Sequence, residues 1–387
     1  MGNSHADAAR IRLFASSRAW IEGAAVRQLE QVAQRPDVVS VAGLPDLHPG
    51  HHGPVGCAVL AEGRVFPDII GTDIGCGMQF HVLDLPERKL RLDKAAERLL
   101  ALEGVWDGDA SGLLAERLFD VTNPDVTDFA ASLGTIGGGN HFCELQGVDE
   151  IVDTELASSV GLERGGLGLL VHSGSRGHGA RIFARHDPGS TDGLPLDRGG
   201  EDYLLHQNGA VRFARLNREV IAIRASEALR VECRFVLDNP HNVAERDGDR
   251  VLHRKGAAPA DRGLVPVPGS RGAVTYLVQP LPGAGRSLNS LAHGAGRKHD
   301  RGSMQKRLGT QASTLARLAR NPFGGHVVCH DRKLLLEEAP EAYKDIGRVV
   351  AEMEEAKLCR VVAIMRPLVT FKTARGQRDG TRREARR

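Results

Sequence analysis

Leu167-Gly-Leu-Leu-Val-His172-Ser-Gly-Ser-Arg-Gly177 is the clearest strand-and-turn pattern in this 387-residue sequence. The run from Leu167 to His172 has the length and apolar character of a buried strand, and Ser-Gly-Ser ends it in a turn. His172 therefore lies where a strand meets a turn, a common place for ligands to bind. Taken alone, however, His172 is better explained as a hydrogen-bonded histidine of the core.

Helical and extended patterns alternate irregularly on either side of this strand. The predicted helices are residues 17 to about 34, with Ser17 as the N-cap, 88–103, 203–229 and 342–357. The other predicted strands are residues 38–41, 80–83, 234–238, 276–279 and 361–371. Two stretches rich in Gly, Pro and Asp, residues 186–200 and 255–263, are predicted to be loops.

The domain organisation follows from the lack of any internal repeat or convincing linker. The sequence predicts one α+β domain over residues 1–373, with mixed or antiparallel sheets flanked by helices. Residues 374–387 carry six arginines against two acidic residues, and this basic tail is predicted to be disordered.

Composition and charge narrow the classes of protein to which the chain can belong. The six cysteines show no paired spacing, which indicates reduced thiols in the cytosol. The polar N-terminus and the lack of an apolar run near the roughly 18 residues of a membrane span predict neither export nor membrane insertion. A net charge of +2 means that any polyanion site must be a local patch. Aromatic residues make up only 4%, which argues against a stacking platform for single strands.

Five polar side chains are candidate metal ligands, those of Asp73, Cys76, His141, His172 and His241. Each of the three histidines stands beside Asn, Ser or Gly in a turn-like context. A thiolate, a carboxylate and imidazoles are the ligands that a borderline transition metal takes. In Asp73-Ile-Gly-Cys76-Gly, a glycine allows a tight turn, so that both side chains can face one ion. By itself this pentapeptide is better explained as a surface turn with a buried cysteine.

Two glycine-rich segments are suited to an anion. Gly137-Gly-Gly139 lets backbone amides converge just before Asn140-His-Phe-Cys-Glu144, although a flexible hairpin is the alternative. In His293-Gly-Ala-Gly-Arg297, backbone can approach a ligand closely and a guanidinium can bind phosphate. Metal ligands, a nucleophile and phosphate-binding groups together predict metal-assisted phosphoryl or nucleotidyl transfer.

Two further segments are weaker signals for phosphate. Residues 268–272, Pro-Gly-Ser-Arg-Gly, have the composition of a phosphate-binding loop. His253-Arg254-Lys255 is a compact basic group that suits phosphate, with a solvated turn as the alternative.

Taken in order, these segments resemble the RtcB-type RNA-splicing ligases, a family of manganese- and GTP-dependent enzymes. The resemblance covers nearly the whole sequence. Its further segments are Pro45-Asp46-Leu47-His48-Pro49-Gly50, His241-Asn242, Glu338-Ala339-Pro340-x-Ala342-Tyr343-Lys344-Asp345 and Pro367-Leu368-Val369-x-x-Lys372. So many matches in the same order make the resemblance specific.

The resemblance implies a central cleft that holds two Mn²⁺ ions. Cys76 would bridge the ions, with Asp73 and His141 completing one site and His172 and His241 the other. His293 would be the nucleophile that GTP guanylylates. The residues implied around the guanosine and its phosphates are Asn140, His141, Phe142, Glu144, His241, Asn242, Pro268, Gly269, Ser270, Arg271, Thr275, His293, Gly294, Ala295, Gly296, Arg297, Tyr343 and Lys372.

The implied substrate is RNA with a 3′-phosphate or 2′,3′-cyclic phosphate at one end and a 5′-hydroxyl at the other. We expect Glu144 to select guanine, because its carboxylate can accept two N–H bonds that adenine cannot supply. The cations expected on the RNA backbone and its terminal phosphate are His253, Arg254, Lys255, Arg271 and Arg297.

The chain departs from the family pattern in several places, and these departures resemble shorter bacterial paralogues. Arg271 stands where methionine is usual, Lys298-His-Asp-Arg301 replaces a Ser-Arg ending, and Ala258-Pro-Ala260 replaces a Thr-Arg pair. Such paralogues imply repair of cleaved tRNA or rRNA and a release-factor-like protein partner. Two other functions stay open at this point: an RNA-end phosphodiesterase that does not ligate, and a non-catalytic scaffold for RNA repair.

Overall fold

A computed structural model describes residues 10–118, 124–186, 189 and 191–372. Within these residues the helices are α1 Gly23–Ala33, α2 Pro67–Ile70, α3 Leu92–Leu99, α4 Ala110–Leu118, α5 Thr154–Ser159, α6 Gly177–His186, α7 Glu201–Leu229, α8 Arg301–Leu308, α9 Ala312–Leu318, α10 Arg332–Glu337 and α11 Ile346–Glu355. The strands are β1 Arg10–Leu13, β2 Val38–His48, β3 Val55–Glu62, β4 Arg64–Val65, β5 Gly77–Leu83, β6 Phe142–Ile151, β7 Leu167–Ser173, β8 Leu194–Pro195, β9 Cys233–Pro240, β10 Asn242–Asp247, β11 Arg250–Lys255, β12 Ala257–Pro259, β13 Val265–Pro268, β14 Thr275–Pro280, β15 Ser290–Ala292, β16 His326–Val328 and β17 Cys359–Phe371.

Two large sheets and two short strand pairs carry the fold. The larger sheet has the order β13-β14-β17-β6-β7-β5-β9, with β16 paired to β17, and the second has the order β1-β2-β3-β11-β10. Most ladders are antiparallel; β1 with β2 and β16 with β17 are parallel. Helices flank these sheets, so the predicted α+β class is confirmed.

Four neighbouring strands of the larger sheet, β6, β7, β5 and β9, have ends that lie side by side, and this line of strand ends is called the sheet edge below. Antiparallel pairing sets the start of β5 beside the end of β7, since Gly77 pairs with Ser173. The start of β6 also faces the end of β7, and the end of β9 faces the start of β5. Because neighbouring strands lie about 5 Å apart, residues next to these four strand ends are brought together.

The 29-residue α7 packs on the face of this sheet. Ile221, Ala225 and Leu229 of α7 share a core cluster with Leu169 and Val171 of β7. A second cluster packs α11 against β13 and β15, beside the turn that follows β15. Helix α7 thus packs against β7, and α11 packs beside the turn that follows β15.

Three details of the predicted secondary structure are wrong. Helix α1 begins at residue 23 and not near Ser17, because Ser16 donates from its backbone N–H and hydroxyl to Glu352 of α11 and holds the preceding segment away from the helix. The predicted loop 255–263 contains β12, whose partner is β15. The predicted loop 186–200 contains β8 and a helical turn over residues 196–200.

Other predicted elements are confirmed with shifted ends, and the predicted strands 167–172 and 361–371 lie within β7 and β17. The basic tail, residues 374–387, lies outside the described residues. Among the helices that the structure does describe, we find none with both the length and the apolar character needed to cross a bilayer.

Candidate active site

The five predicted metal ligands lie together at the sheet edge. Cys76 precedes β5, His141 precedes β6, His172 is the penultimate residue of β7, and His241 follows β9. The Cys76 thiol lies 3.3 Å from His141 Nε2 and 3.2 Å from His172 Nε2. His172 and His241 approach each other to 3.3 Å between their Nε2 atoms, and Asp73 Oδ2 is 3.0 Å from His141 Nε2.

These residues form two candidate metal groups that share Cys76. One group is Cys76, His172 and His241, the other is Asp73, Cys76 and His141, and the ligand atoms within each lie within 4.8 Å of one another. The donor types suit a transition metal. The shared thiol is the arrangement that a bridge between two ions needs.

Burial keeps the two inner imidazoles neutral. Burial lowers the pKa of His172 and of His241 well below the usual value, and neighbouring histidines lower both further. Burial also raises the pKa of the Cys76 thiol well above its usual value, and the Asp73 carboxylate adds to this. The site therefore offers neutral nitrogen lone pairs and a thiol that would give up its proton to bind a metal.

Asp73 is the anionic member of the set. Burial tends to raise the pKa of its carboxyl, but His141 opposes this by charge and by a hydrogen bond, and Cys76 by a hydrogen bond. The net effect is a pKa below the ordinary value for Asp73. The backbone of Gly174 also lies close to the Asp73 carboxylate. A Cβ atom at this glycine would lie 2.2 Å from Asp73 Oδ1, so a larger residue would displace the carboxylate.

A buried arginine of α7 fixes the strand ends from beneath. Arg218 donates to the carbonyls of Gly75 and Ser173, each at 2.8 Å, and these residues are next to Cys76 and His172. It also forms a two-pronged ion pair with Asp238 of β9, with N–O distances of 2.7 and 2.9 Å. Sequence reasoning missed this residue, because an arginine within a helix gives no local sign of such contacts.

The predicted nucleophile faces the same cleft from a different part of the fold. His293 follows β15, which pairs with β12, and its ring centroid lies 4.6 Å from that of His241. His293 Nδ1 lies 2.8 Å from Oδ2 of the fully buried Asp46, which leaves Nε2 without this partner. Gly256 permits the approach, since a Cβ atom there would lie 2.9 Å from His293 Cε1.

Asp46 is a buried partner of the predicted nucleophile, and sequence reasoning gave it no role. It lies 247 positions from His293, so no spacing rule could pair them. The only available signal was its position in the Pro45-Asp46-Leu47-His48 segment.

A cleft of about 450 Å³ joins the metal ligands to most of the predicted nucleotide-binding residues. Those lining it are Asn140, Phe142, Glu144, His241, Asn242, Pro268, Gly269, Ser270, Arg271, His293, Gly294, Ala295, Gly296, Arg297, Tyr343 and Lys372. His141 does not line the cleft but joins it through the metal group. Thr275 lies behind the wall, where its hydroxyl accepts a hydrogen bond from Gln146.

The far end of the cleft contains a network of buried charges. Glu338 is 3% exposed and accepts hydrogen bonds from Arg297, Arg301 and Tyr343. Burial raises the pKa of Glu338, but Lys372, Arg301 and Arg297 bring it down to about 2. Burial lowers the pKa of Lys372 to about 8 although Glu338 opposes this. Glu338 and Arg301 were not assigned roles from the sequence.

The three residues of the expected basic group, 253–255, lie in different surroundings in the structure. The prediction that all three contact RNA is therefore wrong in part. His253 is fully buried, and its Nε2 accepts a hydrogen bond from the Phe66 amide. Arg254 is 1% exposed and pairs with Glu245 away from the cleft. Only Lys255 lines the cleft. The segment is the end of β11, a central strand covered by β3 and β10, and not a solvated turn.

Known proteins match this chain over most of its length. A family model described as "tRNA-splicing ligase RtcB" matches residues 28–105, 103–192 and 193–373. The RNA-splicing ligase RtcB2 of Escherichia coli is 42% identical over 373 residues, covering 94% of this chain and 96% of that protein. The tRNA-splicing ligase RtcB of Nanoarchaeum equitans is 29% identical, covering 94% and 95%. The RNA-splicing ligase RtcB of Mycobacterium tuberculosis is 29% identical, covering 88% and 99%. On the matched residues and these relatives, the chain belongs to the RtcB family.

Proposed function

We propose that residues 1–373 form a GTP- and Mn²⁺-dependent RNA ligase. It would join a 3′-phosphate or 2′,3′-cyclic phosphate end to a 5′-hydroxyl end through a histidine–GMP intermediate. The observation that carries this proposal is the position of His293, with its Nδ1 held by Asp46 and its ring 4.6 Å from His241 in the metal group. The names of the relatives, which are RNA-splicing ligases, support the coarser assignment.

The donor set fits two Mn²⁺ ions. Each group supplies three ligand atoms within 4.8 Å, and the shared Cys76 thiol suits a bridge. Imidazole and thiolate ligands serve hard Mg²⁺ poorly, because Mg²⁺ prefers oxygen. When bound, the ions would neutralise charge on the phosphate oxygens of the substrates.

The orientation of His293 suits it to attack the α-phosphorus of GTP. With its Nδ1–H donated to Asp46, the lone pair lies on Nε2. A bond forms between Nε2 and phosphorus as the bond to pyrophosphate breaks. The negative Asp46 stabilises the positive charge that the ring gains, as the buried carboxylate does in other histidine–carboxylate pairs.

The remaining steps use the RNA ends. An oxygen of the 3′-phosphate attacks the phosphorus on His293, and the N–P bond breaks to return the lone pair to Nε2. The 5′-hydroxyl then attacks the activated 3′-phosphorus, GMP leaves, and the hydroxyl proton passes to solvent. A 2′,3′-cyclic phosphate must first be opened by water.

Cations at the cleft support binding of phosphates and of the RNA terminus. Lys255, Arg271, Arg297 and Arg301 all line it. Arg271 is 7% exposed, and its Nη1 has no hydrogen-bond partner among the described residues. A local cationic patch of this kind makes RNA binding weaken as salt rises, although the net charge of the chain is only +2.

We place the enzyme in the cytosol, where it would repair cleaved tRNA or rRNA. Each of the six cysteines is unpaired in the structure, as a reducing compartment requires. A release-factor-like protein partner, which the departures from the family pattern suggest, stays a prediction.

The decisive experiment uses a nicked RNA stem-loop that carries either of two pairs of ends, with GTP and Mn²⁺. We expect sealing of the 3′-phosphate and 5′-hydroxyl pair, together with a protein band labelled by [α-³²P]GTP. Sealing only of the 3′-hydroxyl and 5′-phosphate pair would contradict the proposal. Loss of the terminal phosphate without sealing or a labelled band would identify a phosphodiesterase instead.

A further inference from the structure

A second cluster of metal-ligating side chains lies outside the cleft, where α6 ends against the start of α7. It consists of His186, the last residue of α6, with Asp202 and His206 in the first two turns of α7. None of the three lines the cleft. One ligand atom from each of them lies within 4.8 Å of the others.

Helix geometry explains why these side chains meet. Asp202 and His206 are four residues apart, so they lie on the same face of α7. His206 Nδ1 lies 2.7 Å from the Asp202 carbonyl, a contact that holds the ring one turn above the carboxylate. The packing of α6 on α7 brings the His186 ring within 5.0 Å of the His206 ring, measured between centroids.

One member of the cluster lacks a hydrogen-bond partner. The His186 side chain is 7% exposed, and its Nε2 is buried without a partner among the described residues. That nitrogen lies 3.8 Å from Asp202 Oδ2, which is too far for a hydrogen bond. Burial of a nitrogen without a hydrogen-bond partner is unfavourable, so a simple hydrogen-bonded cluster does not account for its position.

We propose that His186, Asp202 and His206 bind a divalent transition metal ion of the Zn²⁺ type. Two imidazoles and one carboxylate are a common protein ligand set for zinc. The Asp202 side chain is 53% exposed, which leaves a coordination position open to water.

The ion would fasten the end of α6 to the start of α7. Helix α6 begins at Gly177, directly after the turn that follows His172, and α7 carries Arg218 beneath the strand ends. The site is independent of the proposed ligase chemistry, because it contains none of the residues of the cleft. Guanylylation by the metal-bound cleft should therefore survive its loss.

The test is the number of Zn²⁺ ions that the full chain retains after metal removal with chelator, reloading with Zn²⁺ and dialysis, measured by elemental analysis. We expect the His206→Gln variant to retain one ion fewer per chain than the wild type. Asp202→Asn, an isosteric change at a half-exposed side chain, should show the same loss and is expected to fold normally. Thermal unfolding of both variants in the presence of chelator shows whether each one folds normally without metal.

His326→Gln is the matched control, because His326 Nε2 also pairs with a surface aspartate, Asp93, at 2.8 Å. Unlike His186 and His206, it belongs to no group of three ligands among the described residues. This control should retain the wild-type number of ions. Equal numbers in wild type, His206→Gln and Asp202→Asn would overturn the proposal, as would the same loss in His326→Gln.

The two classes of site can also be separated by Co²⁺ absorption. The cleft contains a thiol, so its Co²⁺ complex should show sulfur-to-metal charge transfer in the near ultraviolet. The α6–α7 site has only nitrogen and oxygen donors and should add visible bands alone. Loss of the charge-transfer band in His206→Gln, with the visible bands unchanged, would assign the lost ion to the cleft and contradict the inference.

Discussion

The side chains of the cleft form two groups, a metal half around Cys76 and a proposed nucleotide half around Glu338, and different interactions hold each group in place. In the metal half, ligands flank four neighbouring strands, and their positions follow from the sheet ladder. In the nucleotide half, Arg297, Arg301 and Lys372 surround Glu338, and the side chains hold one another by charge. The metal half brings together ligand atoms suited to a cation. In the nucleotide half, the positively charged side chains outnumber the one carboxylate that they surround. Under the proposed function, this difference means that the cleft as a whole would complement a metal-bound polyphosphate.

The largest expected effect is at the residue that joins the two halves. His293→Ala removes the attacking nitrogen and should abolish the protein–GMP adduct, with a loss of at least about 10³-fold. Mn²⁺ binding should remain measurable, because the ligands around Cys76 are untouched. Labelling with [α-³²P]GTP and metal analysis check both outcomes.

His51→Ala is the control for this variant, since His51 also lines the cleft but contacts no metal ligand in the described structure. It should still form the adduct. An adduct in His293→Ala, or GMP mapped to Lys372 by mass spectrometry, would show that another residue is the nucleophile.

The next largest effect is expected in the metal half. Cys76→Ser should cost more than the roughly 10- to 100-fold that follows the loss of an outer-sphere partner, because Cys76 belongs to both candidate metal groups. It should also cost more than His141→Ala, His172→Ala or His241→Ala, and Mg²⁺ should not restore activity. Ligation rates in Mn²⁺ and in Mg²⁺ measure this.

Cys57→Ser is a matched control, because Cys57 is as buried as Cys76 and its thiol donates to the Pro54 carbonyl, as a serine hydroxyl can. It should retain ligation. Full activity of Cys76→Ser in Mg²⁺ alone would rule out a thiolate that bridges two ions.

A smaller effect is expected at Asp46, which positions His293 between the two halves. Asp46→Asn keeps the shape of the side chain but can turn an amide N–H toward His293 Nδ1, which favours the wrong tautomer. The rate of adduct formation should fall about 10- to 100-fold, the range seen when a partner that orients a functional histidine is lost. GTP affinity should stay nearly unchanged, because Asp46 does not line the cleft.

Rapid-quench measurement of adduct formation and calorimetry with GTP separate rate from affinity. Equal losses in rate and in affinity would show that Asp46 supports the fold of the cleft and does not orient His293.

The same contrast explains how far the sequence could predict the site. The sequence singled out the five candidate metal ligands, and the structure brings them together, because each lies in or near a turn or a strand end, where local pattern and residue type coincide. Sequence reasoning gave no role to Asp46, Arg218 and Glu338, because their partners are distant in sequence and only the tertiary fold brings them together.

Errors in the predicted basic contacts have a related cause. His253 and Arg254 look like parts of a basic turn, but they belong to a strand covered on both sides. Within a strand, successive side chains point to opposite faces, so a run of basic residues cannot present one surface. The helix start at residue 23 was missed for a similar reason, since Glu352 of α11 determines the path of the chain at Ser16.

The smallest expected effect tests the base-binding end of the nucleotide half. Glu144 is 4% exposed, and its two carboxylate oxygens accept hydrogen bonds from Gln146 and Thr370. Burial raises its pKa although these bonds and Lys372 oppose the shift. The ionised carboxylate therefore costs folding free energy at neutral pH, and that cost falls as pH is lowered through the raised pKa. A function that needs the charge would justify the cost.

Glu144→Gln removes the charge and replaces one acceptor with a donor that faces the guanine N–H groups. We expect GTP affinity to fall about 10-fold, equivalent to roughly 1.4 kcal/mol, and the preference for GTP over ATP to narrow. Melting without nucleotide should be unchanged or higher, since no charge is then buried. Glu150→Gln, an exposed change on the same strand, should alter neither property. If Glu144→Gln keeps the wild-type GTP preference, guanine selection must come from elsewhere in the nucleotide half, and the raised pKa of Glu144 has no role in recognising the base.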